Sequence, residues 1–338
     1  MKIFKNQSLL HYNTFGIDVK AKYFAEFNNT EQLKELLLQF GKMEIPRLVL
    51  GGGSNILFTQ DFPGVILKNN ISGISIISET DSSLKLKVGA GVVWDSVVKF
   101  AVENKFWGIE NLSLIPGTAG AAPIQNIGAY GCELKDVFSS AEIFNITNFS
   151  FEYIFNKDCE FGYRDSIFKN KLKNKFIITN IILSLNKIRQ PNLSYHLLKN
   201  KFVNIPIDKI KIEDIRKFII ETRKKKLPDT SEFGNAGSFF KNPILNRNEF
   251  LIFHEKFPNI NHYKTDDDNV KISAAHLIEN VGMKGKTYGR TGTHKSHSLI
   301  LINNGNAKGK EIYDFSKMIK DKVLNKFNIE LFEEVNIV

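Results

Sequence analysis

The sequence predicts an α+β protein with mixed sheets. Segments with strand and helix periodicity alternate along the chain, and glycine-rich turns follow several of the strands. The 338 residues exceed the length at which a single hydrophobic core is usual, so two or three domains are expected. Neither an internal repeat nor a low-complexity tract is present in the sequence, so we expect nearly the whole chain to be ordered.

The first predicted elements lie before residue 60. Residues 23–27 predict a strand, and Thr30 is the predicted N-cap of the helix that follows. The apolar residues of this helix, at helical spacing, are Leu33, Leu36, Leu37 and Phe40. A short apolar strand at 47–50 then leads directly into a glycine turn.

Later elements continue the same alternation. Residues 84–88 and 298–302 predict strands, and a final strand is predicted at 329–335. Three further helices are predicted from apolar spacing: one carries Val93, Val97, Val98 and Val102, one carries Ile212, Ile215, Phe218, Ile219 and Thr222, and one carries Ile312, Phe315, Ile319 and Val323. Turn-rich stretches near 69–73 and 227–237 are the predicted domain boundaries.

Charge and composition restrict the class of protein. The net charge is +10, but the basic run at 223–226 is not accompanied by a zinc-finger spacing or an RNA-binding signature. We therefore expect no nucleic-acid partner, although a positive surface also attracts small phosphates. No apolar run approaches the length of a membrane span and the first residues do not form a signal peptide, so neither membrane insertion nor export is expected.

The cysteines and acidic residues predict neither disulfides nor a metal site. Cys132 and Cys159 are too few for a disulfide framework or a four-cysteine zinc site. No cluster of carboxylates and histidines shows metal-ligand spacing. A cytoplasmic location follows as the expectation.

Two segments rich in small residues are the first candidates for chemistry. Gly51, Gly52 and Gly53 follow a predicted strand, and small side chains dominate residues 115–131. Peptide N–H groups that no side chain covers can approach a pyrophosphate closely, so a bound dinucleotide would fill this space. For the three glycines alone, a tight turn is an equally good interpretation. Ile56 and Asn280 stand where a Rossmann fingerprint and a Walker motif require glycine.

Two polar motifs follow. Arg164 beside Asp165 is typical of a structural ion pair, yet an arginine fork also suits a carboxylate or an enolate. Ser238 stands between small residues and two phenylalanines, as a serine in a partly desolvated cavity would; a turn serine bonded to nearby backbone is the simpler interpretation. No Gly-x-Ser-x-Gly elbow or serine triad pattern is present in the sequence, so hydrolysis is not predicted.

Together these motifs closely resemble the UDP-N-acetylenolpyruvoylglucosamine reductase (MurB) family. The matching motifs are Ile-Pro-Gly at 115–117, Pro-Ile-Gln-Asn-Ile-Gly-Ala-Tyr-Gly at 123–131, Gly-Tyr-Arg-Asp-Ser at 162–166 and Gly-Ser-Phe-Phe-Lys-Asn-Pro at 237–243. The resemblance extends from Asn-Thr-Phe-Gly at 13–16 to Leu-Phe-Glu-Glu-Val at 331–335, which is nearly the whole chain. The segment with Tyr195 is similar to the loop of the type I members.

The resemblance implies a fold and a reaction. The implied fold is an FAD-binding fold of the vanillyl-alcohol-oxidase (PCMH) type in two subdomains, 1–69 with 329–338 and 70–226, followed by a C-terminal α+β substrate domain at 227–328. The implied reaction is that of a UDP-N-acetylmuramate dehydrogenase in peptidoglycan precursor synthesis. NADPH reduces FAD and leaves, and UDP-N-acetylglucosamine enolpyruvate then accepts a hydride at C3 and becomes UDP-N-acetylmuramate. We expect a monomer.

The resemblance also implies residue roles. Ser238 is the implied proton donor, and Arg164 and Glu334 stabilise the enol-type intermediate. Glu333 remains the alternative to Glu334, because the family's Glu-Pro-Glu-Val stands here as Phe-Glu-Glu-Val at 332–335. The implied cofactor-binding residues are Gly51, Gly52, Gly53, Ser54, Asn55, Pro116, Gly117, Ala121, Ala122, Ile124, Gly128, Ala129, Tyr130 and Arg223. The implied substrate-binding residues are Tyr195, Lys226, Asn242 and His297, the last of which stands where some members have glutamine.

Two other classes remain as alternatives. An FAD-linked alcohol oxidase or dehydrogenase of the same fold would lack the Ser238 segment and the basic run that ends at Lys226. A basic RNA-binding or structural protein would explain the charge but not the glycine loops. The colour of a bound flavin in the purified protein separates this last class from the other two.

Overall fold

The computed structural model describes residues 2–41, 43–265 and 268–338. The α-helices in these ranges are α1 Thr30–Gly41, α2 Trp94–Glu103, α3 His196–Phe202, α4 Ile212–Lys226, α5 Arg247–Lys256, α6 Ala274–Asn280 and α7 Gly309–Phe327. The strands are β1 Ile3–Ser8, β2 Lys20–Phe27, β3 Arg47–Leu50, β4 Ile56–Leu57, β5 Phe62–Asn69, β6 Ile74–Glu79, β7 Ser83–Gly89, β8 Gly128–Ala129, β9 Cys132–Glu133, β10 Phe138–Asn145, β11 Ser150–Phe155, β12 Phe176–Asn186, β13 Ile244–Leu245, β14 His262–Lys264, β15 Val270–Ile272, β16 Thr287–Tyr288, β17 Thr291–His294, β18 His297–Asn303 and β19 Asn336–Ile337.

The described residues form two compact units, and each takes several stretches of the chain. Unit 1 is formed by the described parts of Met1–Gln7, Ala21–Gly52 and Pro63–Arg223. Unit 2 is formed by those of Ser8–Lys20, Gly53–Phe62 and Lys224–Val338. Both units therefore depend on residues that are far apart in the sequence.

Unit 1 is built around two sheets. A four-stranded sheet has the order β1-β2-β5-β3, and β3 runs parallel to β5 with Leu50 opposite Lys68. The apolar face of α1 is buried in the same core as Phe27 and Leu67. The second sheet is antiparallel in the order β11-β10-β12-β7-β6, and a larger core that includes α2 forms on it.

Unit 2 has smaller sheets. The order β16-β17-β18 gives one antiparallel sheet, against which α6 and α7 pack. Two other small sheets have the orders β13-β15-β14 and β19-β4, and β19 runs parallel to β4. No helix among the residues that the structure describes is both long enough and apolar enough to cross a membrane.

Most predicted elements are confirmed, because their apolar spacing matches the buried faces. The strands predicted at 23–27, 47–50, 84–88 and 298–302 lie in β2, β3, β7 and β18. The predicted helices correspond to α1, α2, α4 and α7.

The starts of two helices differ from the prediction. The side chain of Asn29, one residue before Thr30, caps α1, since its Oδ1 accepts the N–H of Gln32 at 2.9 Å. Val93 precedes α2 and is 55% exposed, whereas Trp94 is 1% exposed and fills the core position. The indole Nε1 of Trp94 donates to the carbonyl of Leu112 at 3.0 Å, which satisfies its buried N–H.

The prediction of a strand at 329–335 is wrong. In this segment the structure has only an isolated bridge between Glu333 and Phe240, and the regular strand is β19. The bond from the N–H of Glu334 to the carbonyl of Phe239, at 2.8 Å, belongs to this bridge, and the ladder ends because the chain bends at Glu334 and Val335. The alternation of buried residues that suggested a strand is real, but it belongs to an irregular extended segment.

Candidate active site

Each unit carries part of the residue set that the sequence predicts. Unit 1 holds Gly51, Gly52, Pro116, Gly117, Ala121, Ala122, Ile124, Gly128, Ala129, Tyr130, Arg164, Tyr195 and Arg223. Unit 2 holds Gly53, Ser54, Asn55, Lys226, Ser238, Asn242, His297 and Glu334.

The glycine turn after β3 packs directly on the turn at Gly117. A Cβ added to Gly51 would lie 2.4 Å from Oγ1 of Thr118, and one added to Gly52 would lie 3.0 Å from Cα of Gly117. The Nζ of Lys68 donates to the carbonyl of Gly51 at 2.7 Å and fixes the turn. Close approach of two backbone segments therefore explains part of the small-residue pattern that the sequence interpretation assigned to a ligand.

In the segment from Pro116 to Tyr130, exposed and half-buried small residues alternate with buried ones. Pro116 and Ala121 are exposed, as is Gly52. The 3₁₀ helix Ala119–Gln125 is held by a hydrogen bond from the N–H of Gly120 to the carbonyl of Ala90 at 2.9 Å. These small residues leave peptide groups open to a ligand, as phosphate-binding turns do.

A buried asparagine orients the hairpin that follows. Asn126 has a φ of +43°, and its amide donates to Oε2 of Glu133 at 2.8 Å while its Oδ1 accepts the N–H of Lys135 at 3.0 Å. These two hydrogen bonds fix the direction in which the β8–β9 hairpin follows Asn126. Tyr130, at the hairpin turn, has a φ of +50°.

Arg164 is held in a strained backbone conformation. Its φ is +54°, a region that costs a non-glycine residue about 1–3 kcal/mol and that occurs often at functional sites. Its Nη2 donates to the carbonyl of Gly128 at 2.8 Å. The neighbouring carboxylate of Asp165 accepts hydrogen bonds from the amide of Asn170 and from the N–H of Ser166, at 2.9 Å and 3.0 Å.

A second guanidinium, that of Arg223, lies close to Arg164. Burial lowers the pKa of Arg223, and the charge of Arg164 lowers it further, while Tyr130 and Asp95 act in the opposite direction. Burial also raises the pKa of Tyr130, against the effect of Arg223. Arg223 stays charged at neutral pH, because a guanidinium is too basic to lose its proton in proteins. Unit 1 thus concentrates two cations and a neutral phenol.

An ion pair that the sequence analysis missed supports Arg223. The carboxylate of Asp95 accepts two hydrogen bonds from Arg216, both at 2.8 Å, and the N–H of Leu114 at 2.5 Å. The Nε of Arg223 donates to the carbonyl of Leu114 at 3.2 Å. Burial acts to raise the pKa of Asp95, but the hydrogen bonds from Arg216 and Leu114 outweigh it and the pKa is lowered. One sequence signal was available: Arg216 and Arg223 are two helical turns apart on α4.

Tyr195 lies against Tyr130, with the two ring centroids 5.3 Å apart in an edge-on arrangement. Two asparagines connect the Tyr130 turn to the segment before Tyr195. Asn111 donates to the carbonyls of Tyr130 and Asn192 at 2.9 Å each, and Asn192 donates to the carbonyl of Gly131 at 3.1 Å. The structure therefore brings a predicted cofactor residue and a predicted substrate residue together.

In unit 2 the turn Gly53–Asn55 contacts the C-terminal segment. The amide of Asn55 donates to the carbonyl of Glu334 at 3.1 Å, and the N–H of Asn336 donates to the carbonyl of Asn55 at 3.1 Å. Ser54, between Gly53 and Asn55 in the sequence, is half-buried.

Ser238 is positioned by backbone bonds on both sides of its strand segment. It forms an isolated bridge with Ile300 of β18, and the N–H of Phe239 donates to the carbonyl of Leu299 at 2.8 Å. On the other side, the carbonyl of Phe239 accepts the N–H of Glu334 at 2.8 Å. Ser238 and Glu334 are therefore on hydrogen-bonded neighbouring segments.

The two adjacent glutamates differ in their surroundings. Glu333 forms an ion pair with Lys320, whose Nζ lies 3.1 Å and 3.3 Å from the two carboxylate oxygens. The backbone N–H of Glu334 donates to the carbonyl of Phe239. Glu333 thus has a structural partner of its own.

The three remaining substrate residues are also in unit 2. Lys226 is exposed at the end of α4, and Oδ1 of Asn242 accepts the N–H of Ala274 at the start of α6, at 3.0 Å. His297 begins β18, and its Nδ1 is buried with no hydrogen-bond partner within the described part of the chain.

Both cysteines are free and buried. Burial raises the pKa of Cys132 to about 12 and that of Cys159 to about 12, so both are thiols rather than thiolate nucleophiles at neutral pH. Across residues 2–41, 43–265 and 268–338, no group of three histidine, cysteine or acidic side chains is arranged to hold a metal ion.

Comparison with known proteins gives consistent results. The model of the UDP-N-acetylenolpyruvoylglucosamine reductase C-terminal domain matches residues 229–338, and that of an FAD binding domain matches residues 21–147. Together these matches confirm the predicted fold class. A Flavobacterium johnsoniae protein named UDP-N-acetylenolpyruvoylglucosamine reductase is 42% identical over 339 residues, which covers 100% of both chains.

Other relatives agree. A Bacteroides fragilis protein of the same name is 40% identical over 332 residues, 98% of each chain. The crystal structure of UDP-N-acetylenolpyruvylglucosamine reductase (MurB) from Thermus caldophilus has a TM-score of 0.68 and 22% identity, and the match covers 99% of this chain and 98% of that one. At that identity the structural likeness shows the fold alone.

Proposed function

Because the chain belongs to the UDP-N-acetylenolpyruvoylglucosamine reductase family, we infer that it reduces UDP-N-acetylglucosamine enolpyruvate in peptidoglycan precursor synthesis. The cofactor is FAD and the reductant is NADPH. A hydride adds to C3 of the enolpyruvyl double bond and a proton adds to C2, which gives the lactyl ether UDP-N-acetylmuramate. Within the molecule, the observation that carries this function is the backbone bond that holds Ser238 beside the Glu334 segment.

The residues present fit FAD. Pro116 and Ala121 are exposed and Gly117 and Gly120 are half-buried, so this turn offers peptide groups suited to a pyrophosphate. Two neighbouring guanidiniums, Arg164 and Arg223, suit an electron-rich ring or a carboxylate, since each is partly buried and repels the other. FAD supplies the hydride chemistry when it is bound. Within unit 1, Tyr130 and Gly128 position the two arginines.

The chain's own residues stabilise charge and deliver a proton. Hydride addition pushes electrons toward the substrate carboxylate, and the fork of Arg164 holds that developing charge. The hydroxyl of Ser238 donates the proton to C2; a serine is a weak acid, but an enolate-type carbon is basic enough to accept its proton. Glu334, when protonated, donates a hydrogen bond to the intermediate.

The UDP portion is an anion, and the basic side chains of the set suit it. Lys226 is exposed and available to a phosphate. Asn242 uses its Oδ1 for the start of α6, so its amide nitrogen is the group it offers to a ligand. Tyr195 and His297 complete the proposed substrate-binding set.

The wider setting is also part of the proposal. A monomer working in the cytoplasm, where UDP-sugars and NADPH occur, would support cell-wall biogenesis and through it cell shape and division. We propose three functional domains within the two compact units: 1–69 with 329–338, 70–226 and 227–328. Contact between β19 and β4 supports joining the last residues to the first of these domains.

Anaerobic stopped-flow absorbance tests the function. NADPH should bleach the bound flavin, and UDP-N-acetylglucosamine enolpyruvate should then restore its colour. Restoration by oxygen or another acceptor alone would favour a flavin-linked oxidase of this fold over the reductase. Freshly purified protein without any flavin would remove the FAD assignment as well.

Glu334→Gln and Glu333→Gln form a matched pair that separates the two carboxylates. We expect Glu334→Gln to slow turnover by about 10²-fold or more, because it removes a group that acts on the intermediate. Glu333→Gln should leave kcat within about threefold, since it breaks a partly exposed ion pair with Lys320 that stabilises the protein only modestly. Steady-state rates measure both, and the reverse order of effects would transfer the role to Glu333.

A further inference from the structure

We propose that His297 takes up a proton when the diphosphate of the UDP-sugar binds, which makes substrate affinity depend on pH. This inference rests on the proposed function and adds to it a property of this chain's own residue. Some family members have glutamine here, and a glutamine side chain cannot take up a proton in this range.

The first observation is an unpartnered polar atom. Nδ1 of His297 is buried and has no hydrogen-bond partner among the residues described. Buried side-chain nitrogens are nearly always bonded, and each exception calls for a ligand, a water molecule or a role. A phosphate oxygen is an acceptor, and a protonated imidazole donates from both of its ring nitrogens, so protonation adds a donor near a bound phosphate.

The second observation is the position of His297 in the sheet. Ser238 pairs antiparallel with Ile300, so the segment after Ser238 and the residues before Ile300 extend toward the same end of β18. Asn242 lies on the first segment and His297 begins the second. The register therefore places His297 toward the end at which Asn242 lies, away from the proposed proton donor.

The third observation concerns the surrounding charges. Burial is the main effect that lowers the pKa of His297, and the charge of Lys226 on α4 is the next. His294 on β17 and Lys284 after α6 act in the same direction, and Glu279 on α6 opposes them. The carboxylate of Glu279 is shared, because it lies 2.9 Å from Nζ of Lys284 and accepts the hydroxyl of Ser298 at 3.3 Å. His297 is therefore neutral in the free protein at neutral pH.

A bound diphosphate opposes the effects that lower the pKa of His297. Two negative charges beside Lys226 favour the imidazolium, so the pKa of His297 is higher in the complex than in the free protein. Affinity then rises as the pH falls through the pKa of the complex, and it levels off below the pKa of the free protein. Above both values the histidine is neutral in both states and contributes no pH dependence.

Isothermal titration calorimetry with FAD-loaded protein tests the proposal. UDP-N-acetylglucosamine is the probe, because it carries the diphosphate, cannot be reduced, and its phosphates do not titrate near neutral pH. Titrations at pH 7 in two buffers of different ionisation enthalpy give the number of protons taken up. We expect a substantial fraction of one proton for the native protein and close to none for His297→Gln, and Kd should fall by up to about tenfold per pH unit on acidification.

His294→Gln is the matched control, since it removes a neighbouring histidine of the same turn and should leave the proton uptake in place. Binding by the native protein without proton uptake would overturn the proposal, and so would equal uptake by His297→Gln. The stopped-flow experiment separates this proposal from the proposed function. Turnover without proton uptake would contradict only the proposal for His297. The absence of both binding and turnover would contradict the reductase function as well.

Discussion

Replacing Ser238 by alanine is expected to leave reduction of the bound flavin by NADPH intact and to slow its reoxidation by the enolpyruvyl substrate by about 10²–10⁴-fold. Only the second half-reaction needs a proton at C2. The substitution removes one hydroxyl, and the backbone bonds of the following residue, Phe239, to Leu299 and Glu334 do not involve that side chain. The variant should therefore fold and bind substrate normally.

Two-step stopped-flow traces measure the two half-reactions separately. Ser231→Ala is the control, because Ser231 is an exposed turn residue of the same unit whose hydroxyl donates to Asp229 at 2.8 Å. It should change neither rate. If Ser238→Ala slowed both half-reactions equally, the serine would have a general structural role, and an unchanged second step would assign the proton to another donor.

The second large effect is expected for Gly53→Ala, which should prevent unit 2 from folding stably and leave the protein without flavin. Gly53 has a φ of +64°, and an added Cβ would lie 2.0 Å from the carbonyl oxygen of Tyr12 and 2.8 Å from its carbonyl carbon. Both are backbone atoms, so relief requires a shift of the main chain. That shift would also strain the hydrogen bond from the N–H of Thr14 to the carbonyl of Gly53, which is 3.0 Å long.

Gly16→Ala provides a control with the same backbone strain and no clash. Gly16 also has a φ of +64°, and nothing lies within 4 Å of an added Cβ. Its free energy of unfolding should fall by about 1–2 kcal/mol, the cost of a left-handed conformation. Urea unfolding and the flavin absorbance of the purified protein measure both variants. Equal losses for Gly16→Ala and Gly53→Ala would mean that the contact with Tyr12 relaxes easily.

Local periodicity was enough to predict α1, α2, α4 and α7 and the strands β2, β3, β7 and β18, but the other elements were not predicted. The helix faces of α1 and α7 repeat at helical spacing, and the structure buries the residues that this spacing selects. The first residues of the helices were harder to predict, because neighbouring residues compete for the capping and core positions. Asn29 and Thr30 are both good caps, and Val93 and Trp94 are both apolar, so only packing decides which of each pair is used.

Some residues of the candidate site could likewise be predicted from the sequence, and others could not. Ser238 and Arg164 stand in long contiguous motifs, which is why the sequence alone could single them out. Asp95 could not be found, since its partner Arg216 is 121 residues away and neither residue lies in a motif. The pairing of Glu333 with Lys320 could not be predicted either, because it joins two separate elements. Contacts of this kind depend on the tertiary fold.

The pairing of β4 with β19 affects how the protein is made in the cell. Thr59, just after β4, donates from its hydroxyl to Val338 at 2.9 Å, a partner 279 residues further along the chain. During translation, the early segments of unit 2 must remain without these partners while all of unit 1 is synthesised. A gene fragment beginning at Lys224 would therefore encode β19 without its partner strand.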